Sequence, residues 1–165
     1  TALQLARAYS VIANDGRRRE ISLLVDEQPM EAVGVFDPEI VKQVRDMLRM
    51  ATGSDGTGRR AEIEGYSVAG KTGTSHKTKD GGGYDENRYT AVFAGLAPAL
   101  KPRIVTVVVI DDPDRGKYSG GQVAAPVFAE VTSNTLRLLQ VTPDMHEDPL
   151  SLARTSYDPS LQGDS

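Results

Sequence analysis

Two apolar runs, YTAVFAGLA at 89–97 and RIVTVVVI at 103–110, are separated only by PALKP. Both are rich in β-branched, aromatic and small residues, so each reads as a strand. A parallel crossover needs a dozen residues or more, so this connection leaves only antiparallel pairing between the two. Apolar residues follow one another in both runs, which predicts a sheet covered on both faces. The expected architecture is therefore α+β, an antiparallel sheet with helices on each side.

The helices are legible. Leu5, Ala6, Tyr9, Ile12 and Ala13 recur at helical spacing behind Thr1, and NDG at 14–16 stops the run, with Gly16 placed to cap it. RRREISLLV at 17–25 predicts a short strand entering a loop, and the charges from Arg17 to Glu20 a solvated turn. Asp37 and Pro38 open a second helix, with Ile40, Val41, Val44, Met47, Leu48 and Ala51 as its stripe and Gly53 as its end. GSDGTGRR at 53–60 has loop composition, and its glycines read as turn positions instead of a ligand cradle. In the third helix Pro126 suits the first turn, and Ala124, Val127, Phe128, Val131, Leu138 and Leu139 fall on one side. Tyr9, Met47 and Phe128 are expected in the core. SHKTKDGGGYDENR at 75–88 is polar and glycine-rich, and predicts a surface excursion. Residues 1–143 then form one folded unit, and 144–165, rich in proline, acids and serine, a mobile tail.

The stretch GYSVAGKTGT at 65–74 poses the functional question, since its first eight residues satisfy G-x-x-x-x-G-K-[ST]. A phosphate loop needs a helix beginning at the Lys-Thr pair. Here Thr72, Gly73, Thr74, Ser75 and His76 follow, with another glycine and no apolar periodicity, which disfavours helix. The route from Thr74 to Ile104 also lacks the helical crossover that would make Asp111 a magnesium-holding carboxylate; Asp111 and Asp112 before Pro113 read as turn chemistry. The alternative is an extended strand at a sheet edge facing a cleft. Tyr66, Val68, Gly70, Thr72 and Thr74 then share one face, Ser67, Ala69, Lys71 and Gly73 the other, and the glycines permit close approach.

Composition narrows the choice further. The 165 residues carry a net charge of -4, which offers no basic excess for nucleic acid. Cysteine is absent, which removes disulfides and thiolate zinc sites, and the two histidines, His76 and His146, lie far apart without paired acids. Ser67, Ser75 and Ser119 each lack a lysine three places on, which argues against a nucleophile. The chain opens in a helix without an initiating Met, a signal peptide or a membrane span, so the expectation is a piece of a longer protein.

Lys71-Thr72-Gly73 is the K-T-G element of penicillin-binding proteins and serine β-lactamases. With TALQLARAYSVIANDG, GYSVAGKTGTS, YTAVFAGLAPA, PRIVTVVVIDDP and YSGGQVAAPVFAEV in order, residues 1–143 resemble the C-terminal part of the transpeptidase domain of class B penicillin-binding proteins, most of all the division-specific type. The resemblance implies a D,D-transpeptidase whose serine attacks a peptidoglycan stem peptide ending in D-Ala-D-Ala, with β-lactams as mimics of the donor. Lys71 would then supply charge and join the proton relay. Thr72 and Thr74 would bind the terminal carboxylate, the Thr74 amide would give one of two donors to the oxyanion, and Gly73 would leave room for the acyl chain. Tyr84 and Tyr118 would line the cleft. No cofactor or metal is implied. The implied setting is a bacterial inner-membrane anchor upstream, a periplasmic domain, and work beside a glycan polymerase and division proteins at the septum.

Departures from that pattern are specific. Ser119 replaces an aromatic residue, and His76 a basic residue, common in relatives of the division type. No S-x-x-K and no S-x-N occurs, so the nucleophile and its partners are expected in an N-terminal remainder, and this segment alone is expected to be inert. Alternative readings are a serine β-lactamase, a D,D-carboxypeptidase, or a non-catalytic penicillin-sensing domain.

Overall fold

The computed structural model describes residues 1–22, 31–113 and 116–145. A three-stranded antiparallel sheet carries β3 (Ala69–Thr78), β4 (Tyr84–Ala97) and β5 (Ile104–Asp111), in that spatial order. Thr90 to Ala97 pair with Asp111 to Ile104 without interruption, as the short connection demands. A separate two-stranded ribbon joins β1 (Arg17–Arg18) to β2 (Val33–Gly34).

Helices α1 (Ala2–Ala13) and α2 (Pro38–Thr52) lie on one face, and α3 (Gly120–Leu138) on the other. The register explains the division. Phe93, Ala97 and Val108 point toward α3, where Phe128, Ala124 and Leu136 close the main core. Leu96 and Val105, opposite each other one position away, meet Ile12, Ala13 and Leu48 on the other side. Both helix starts use the capping groups in the sequence. Thr1 accepts from the Gln4 amide at 3.2 Å and Asp37 from the Glu39 amide at 2.8 Å, each satisfying a donor that the first turn leaves open. Gly16 has φ +82°, and a Cβ there would lie 2.3 Å from the Phe36 carbonyl oxygen, so the NDG stop requires glycine.

Several sequence expectations change. The strand expected over 17–25 is confined to Arg17–Arg18; Glu20 bonds Arg7 at 2.8 Å, tying the segment to α1, and 23–25 lie outside the described residues. In α2, Val41 and Leu48 pack inward while Ile40 and Met47 remain exposed, because adjacent residues on a helix diverge by about 100°. Met47 is therefore not core, and Tyr9 is only half-buried, whereas Phe128 is fully buried. Helix α3 starts at Gly120, which puts Pro126 in its second turn, and its inward stripe is Ala124, Ala125, Phe128, Thr132 and Leu136, with Val127, Val131, Leu138 and Leu139 outside. The polar excursion is mostly strand. Ser75 pairs with Thr90 and His76 with Tyr89, and only residues 79–83 turn, with Gly81, Gly82 and Gly83 all at positive φ. Lys77 reaches Asp111 across the sheet at 2.9 Å and holds that carboxyl below its usual range.

Ordered contacts run beyond residue 143. Asp144 accepts from the Ser67 amide at 2.7 Å and from the Ser67 hydroxyl, while its own amide donates to the Gly65 carbonyl at 3.1 Å. Tyr66 anchors the same segment through the Val141 carbonyl at 2.6 Å. The remainder of the expected tail, with His146, lies outside the described residues. Asp144→Ala leaves the buried Ser67 without its charged partner, and a loss of about 1–3 kcal/mol is expected in urea unfolding.

Candidate active site

Strand β3 is an edge, and its free side carries Lys71-Thr72-Gly73-Thr74. Thr72 lies opposite Phe93 and Thr74 opposite Ala91, so both side chains share the α3 face, while Lys71 and Gly73 start from the other. Main-chain groups alternate as well. The Val68 carbonyl accepts from the Thr52 hydroxyl at 2.7 Å, and the Thr72 carbonyl from Lys71 Nζ at 3.4 Å. Even-numbered residues thus turn their peptide groups away from β4, and by the same parity the Thr74 amide faces the open edge.

Lys71 folds back over that edge. Its Nζ donates to Thr57 Oγ1 and Thr72 Oγ1, each at 3.2 Å, and the Thr72 hydroxyl donates to Thr57 Oγ1 at 3.0 Å. The ammonium is held by hydroxyls and has no carboxylate partner among the described residues. On the other face, the Gly120 amide at the start of α3 donates to Thr74 Oγ1 at 3.0 Å. That approach depends on Gly120, where a Cβ would sit 2.2 Å from the Val92 oxygen and 2.5 Å from the Gly73 oxygen.

The two glycines of the strand differ. A Cβ on Gly70 would meet the Phe93 ring at 2.7 Å, so the protein's own core takes that space. At Gly73 the nearest atom is Val92 Cβ at 3.6 Å, an ordinary contact, so nothing among the described residues demands glycine there.

Beyond the motif runs an aromatic row. Tyr118 stacks on Tyr89 with centroids 4.3 Å apart, Tyr89 meets His76 at 4.6 Å, and Tyr84 stands 6.5 Å from His76 with 68% of its surface exposed. Tyr118 thus joins the row directly and Tyr84 only through His76, whose Nδ1 lies 3.0 Å from the Asp85 carbonyl oxygen. Sequence reasoning missed Tyr89, hidden in an apolar run; reading 75–78 as strand would have set it opposite His76. It also set aside the 53–60 loop, which brings Thr57 to Lys71. Among the described residues no group of three or more His, Asp or Glu could hold a metal ion, and no helix is long and apolar enough to cross a membrane.

The open edge strand, backed by a helix on one face and glycine-thin on the other, thus carries the K-T-G element that penicillin-binding proteins and serine β-lactamases share. Residues 1–133 match the penicillin binding protein transpeptidase domain, and the chain belongs to that family. It is 43% identical to the peptidoglycan D,D-transpeptidase FtsI of Escherichia coli K12 over 144 residues, covering 87% of this chain and 24% of that protein. It is 41% identical to the probable peptidoglycan D,D-transpeptidase PbpC of Pseudomonas aeruginosa, covering 91% of this chain and 26% of that protein, and 39% identical to the probable PenA of Neisseria flavescens, covering 96% and 38%. The apo transpeptidase domain of Burkholderia pseudomallei penicillin-binding protein 3 superposes with a TM-score of 0.78 at 43% identity, over 87% of this chain and 44% of that one. The chain therefore spans about a quarter to two fifths of these curated relatives.

Proposed function

We propose that the protein containing this chain is a peptidoglycan D,D-transpeptidase that cross-links stem peptides ending in D-Ala-D-Ala and is acylated by β-lactams. The observation that carries this reading is the outward Thr74 amide on an edge strand whose neighbouring glycine, Gly73, is not required by the fold. A donor peptide laid along β3 places its scissile carbonyl oxygen against that amide, and fixed main-chain donors stabilise an oxyanion at no reorganisation cost. Thr72 and Thr74 take the terminal carboxylate. Lys71 holds the positive charge beside it and passes protons through the hydroxyls it contacts. Tyr118 and Tyr84, with Tyr89 between them in the row, flank the acyl chain.

The serine, its lysine and the relay serine come from the upstream remainder, and residues 1–143 complete the cleft that they open. The FtsI likeness supports septal synthesis beside a glycan polymerase and division proteins, with an upstream anchor in the inner membrane and the catalytic domain in the periplasm. Labelled penicillin added to the complete protein tests the reading: a lasting adduct, with transfer of a stem-peptide acyl group to an amine acceptor, is expected. Fast hydrolysis favours a β-lactamase, and an adduct without transfer a sensor. Gly73→Ala separates fold from function. Among the described residues the added methyl meets only Val92, so stability is expected to change by less than about 0.5 kcal/mol, while penicillin acylation falls about a hundredfold through loss of the oxyanion donor's geometry.

A further inference from the structure

Thr72 and Thr74 do not face open solvent alone; they line a cavity of about 390 Å³ whose other walls include Thr57, Arg59, Arg60 and Gln122. Arg59 and Arg60 form the short 3-10 turn that follows the 53–58 loop. Among the described residues no acidic side chain lines the cavity, although the chain as a whole has a net charge of -4. Neither guanidinium has a carboxylate within ion-pair distance among the described residues.

Hydroxyl bookkeeping gives a second, independent sign. A threonine hydroxyl has one hydrogen to donate. The Thr57 and Thr72 oxygens share one hydroxyl hydrogen between them and both accept from Lys71 Nζ, and Thr74 Oγ1 accepts from the Gly120 amide, so one hydrogen of the Thr57–Thr72 pair and that of Thr74 are left for another acceptor. The cavity is thus bordered by two hydroxyl donors and two unpaired guanidiniums, and a planar anion is the ligand that satisfies all of them.

We propose that Arg59 and Arg60, with the Thr57 hydroxyl, are specificity-determining residues that continue the carboxylate subsite of Thr72 and Thr74 and select donors with a free terminal carboxylate. This rests on the transpeptidase reading. Thr57 is a positioning residue in addition, because it holds Lys71 and Thr72 in place.

The test compares benzylpenicillin with its neutral carboxamide on the complete protein, by the second-order rate of acylation. In the Arg59→Ala/Arg60→Ala variant the rate with the acid is expected to fall about tenfold, in line with exposed charge-assisted hydrogen bonds, while the rate with the amide stays unchanged. The Arg59→Lys/Arg60→Lys variant is expected to restore most of the preference for the acid and to keep its sensitivity to salt. Arg103→Ala, in a different cavity, removes the same kind of charge and is expected to leave both rates alone. Equal losses on acid and amide, or no loss on the acid, would overturn the subsite while leaving the wild-type adduct intact. A wild-type protein that forms no adduct overturns the transpeptidase reading and the subsite together.

Discussion

Lys71→Ala in the complete protein is expected to slow acylation by penicillin about 10²- to 10⁴-fold, the range for losing a positioned proton-transfer group. The fold is expected to survive the change, because Lys71 is exposed and its contacts are hydroxyls and one carbonyl instead of a buried ion pair. Its removal does free Thr57 and Thr72 to reorient, which adds to the catalytic loss. Lys71→Arg is not expected to rescue: a planar, permanently charged guanidinium neither fits a point between two hydroxyl oxygens nor yields a proton. Stopped-flow acylation with a chromogenic β-lactam, paired with a thermal melt, separates lost chemistry from lost structure.

The largest expected effect on stability belongs to Phe93→Ala, with a cost of about 3–5 kcal/mol. Phe93 is fully buried, its ring centroid 4.7 Å from that of Phe128, and it sits directly opposite Thr72. An ideal Cβ on Gly70 would run into its ring at 2.7 Å and one on Gly58 would press against it at 3.1 Å, so the strand bearing the motif and the loop bearing Thr57 both close on one side chain. The cavity left by alanine lies under the site, and little can collapse into it because Ala124 and Ala125 are already tightly packed. The midpoint of urea unfolding is expected to fall at an unchanged m-value, and acylation to weaken in proportion to the folded fraction.

The core of this fold could be read from the chain because its strongest signals are local. A five-residue connection between apolar runs dictates pairing, and Asp37-Pro38 and the NDG stop place helix ends. The extended edge bearing Lys71 followed from the lack of any helix-forming run after it. What stayed hidden depends on three-dimensional closure. The 75–88 excursion became a hairpin because cross-strand partners such as His76 with Tyr89 offset its glycine-rich turn. Likewise the loop at 53–60 has turn composition, and only the docking of the α3 start, where a Cβ on Gly121 would lie 2.4 Å from the Thr57 oxygen, brings it to the motif. Exposed Met47 and Ile40 show the limit of an apolar stripe, since a helix periodic on one side does not reveal how wide its contact with the sheet is.

The open edge of β3 is expected to seat the acyl group. A crystal structure of the complete protein acylated by penicillin tests this directly. The acyl carbonyl oxygen is expected about 3 Å from the Thr74 amide nitrogen, with the ligand's carboxylate between Thr72, Thr74 and the Arg59-Arg60 turn. An adduct whose carbonyl points away from β3, or a β3 edge paired with another strand of the protein, would contradict it.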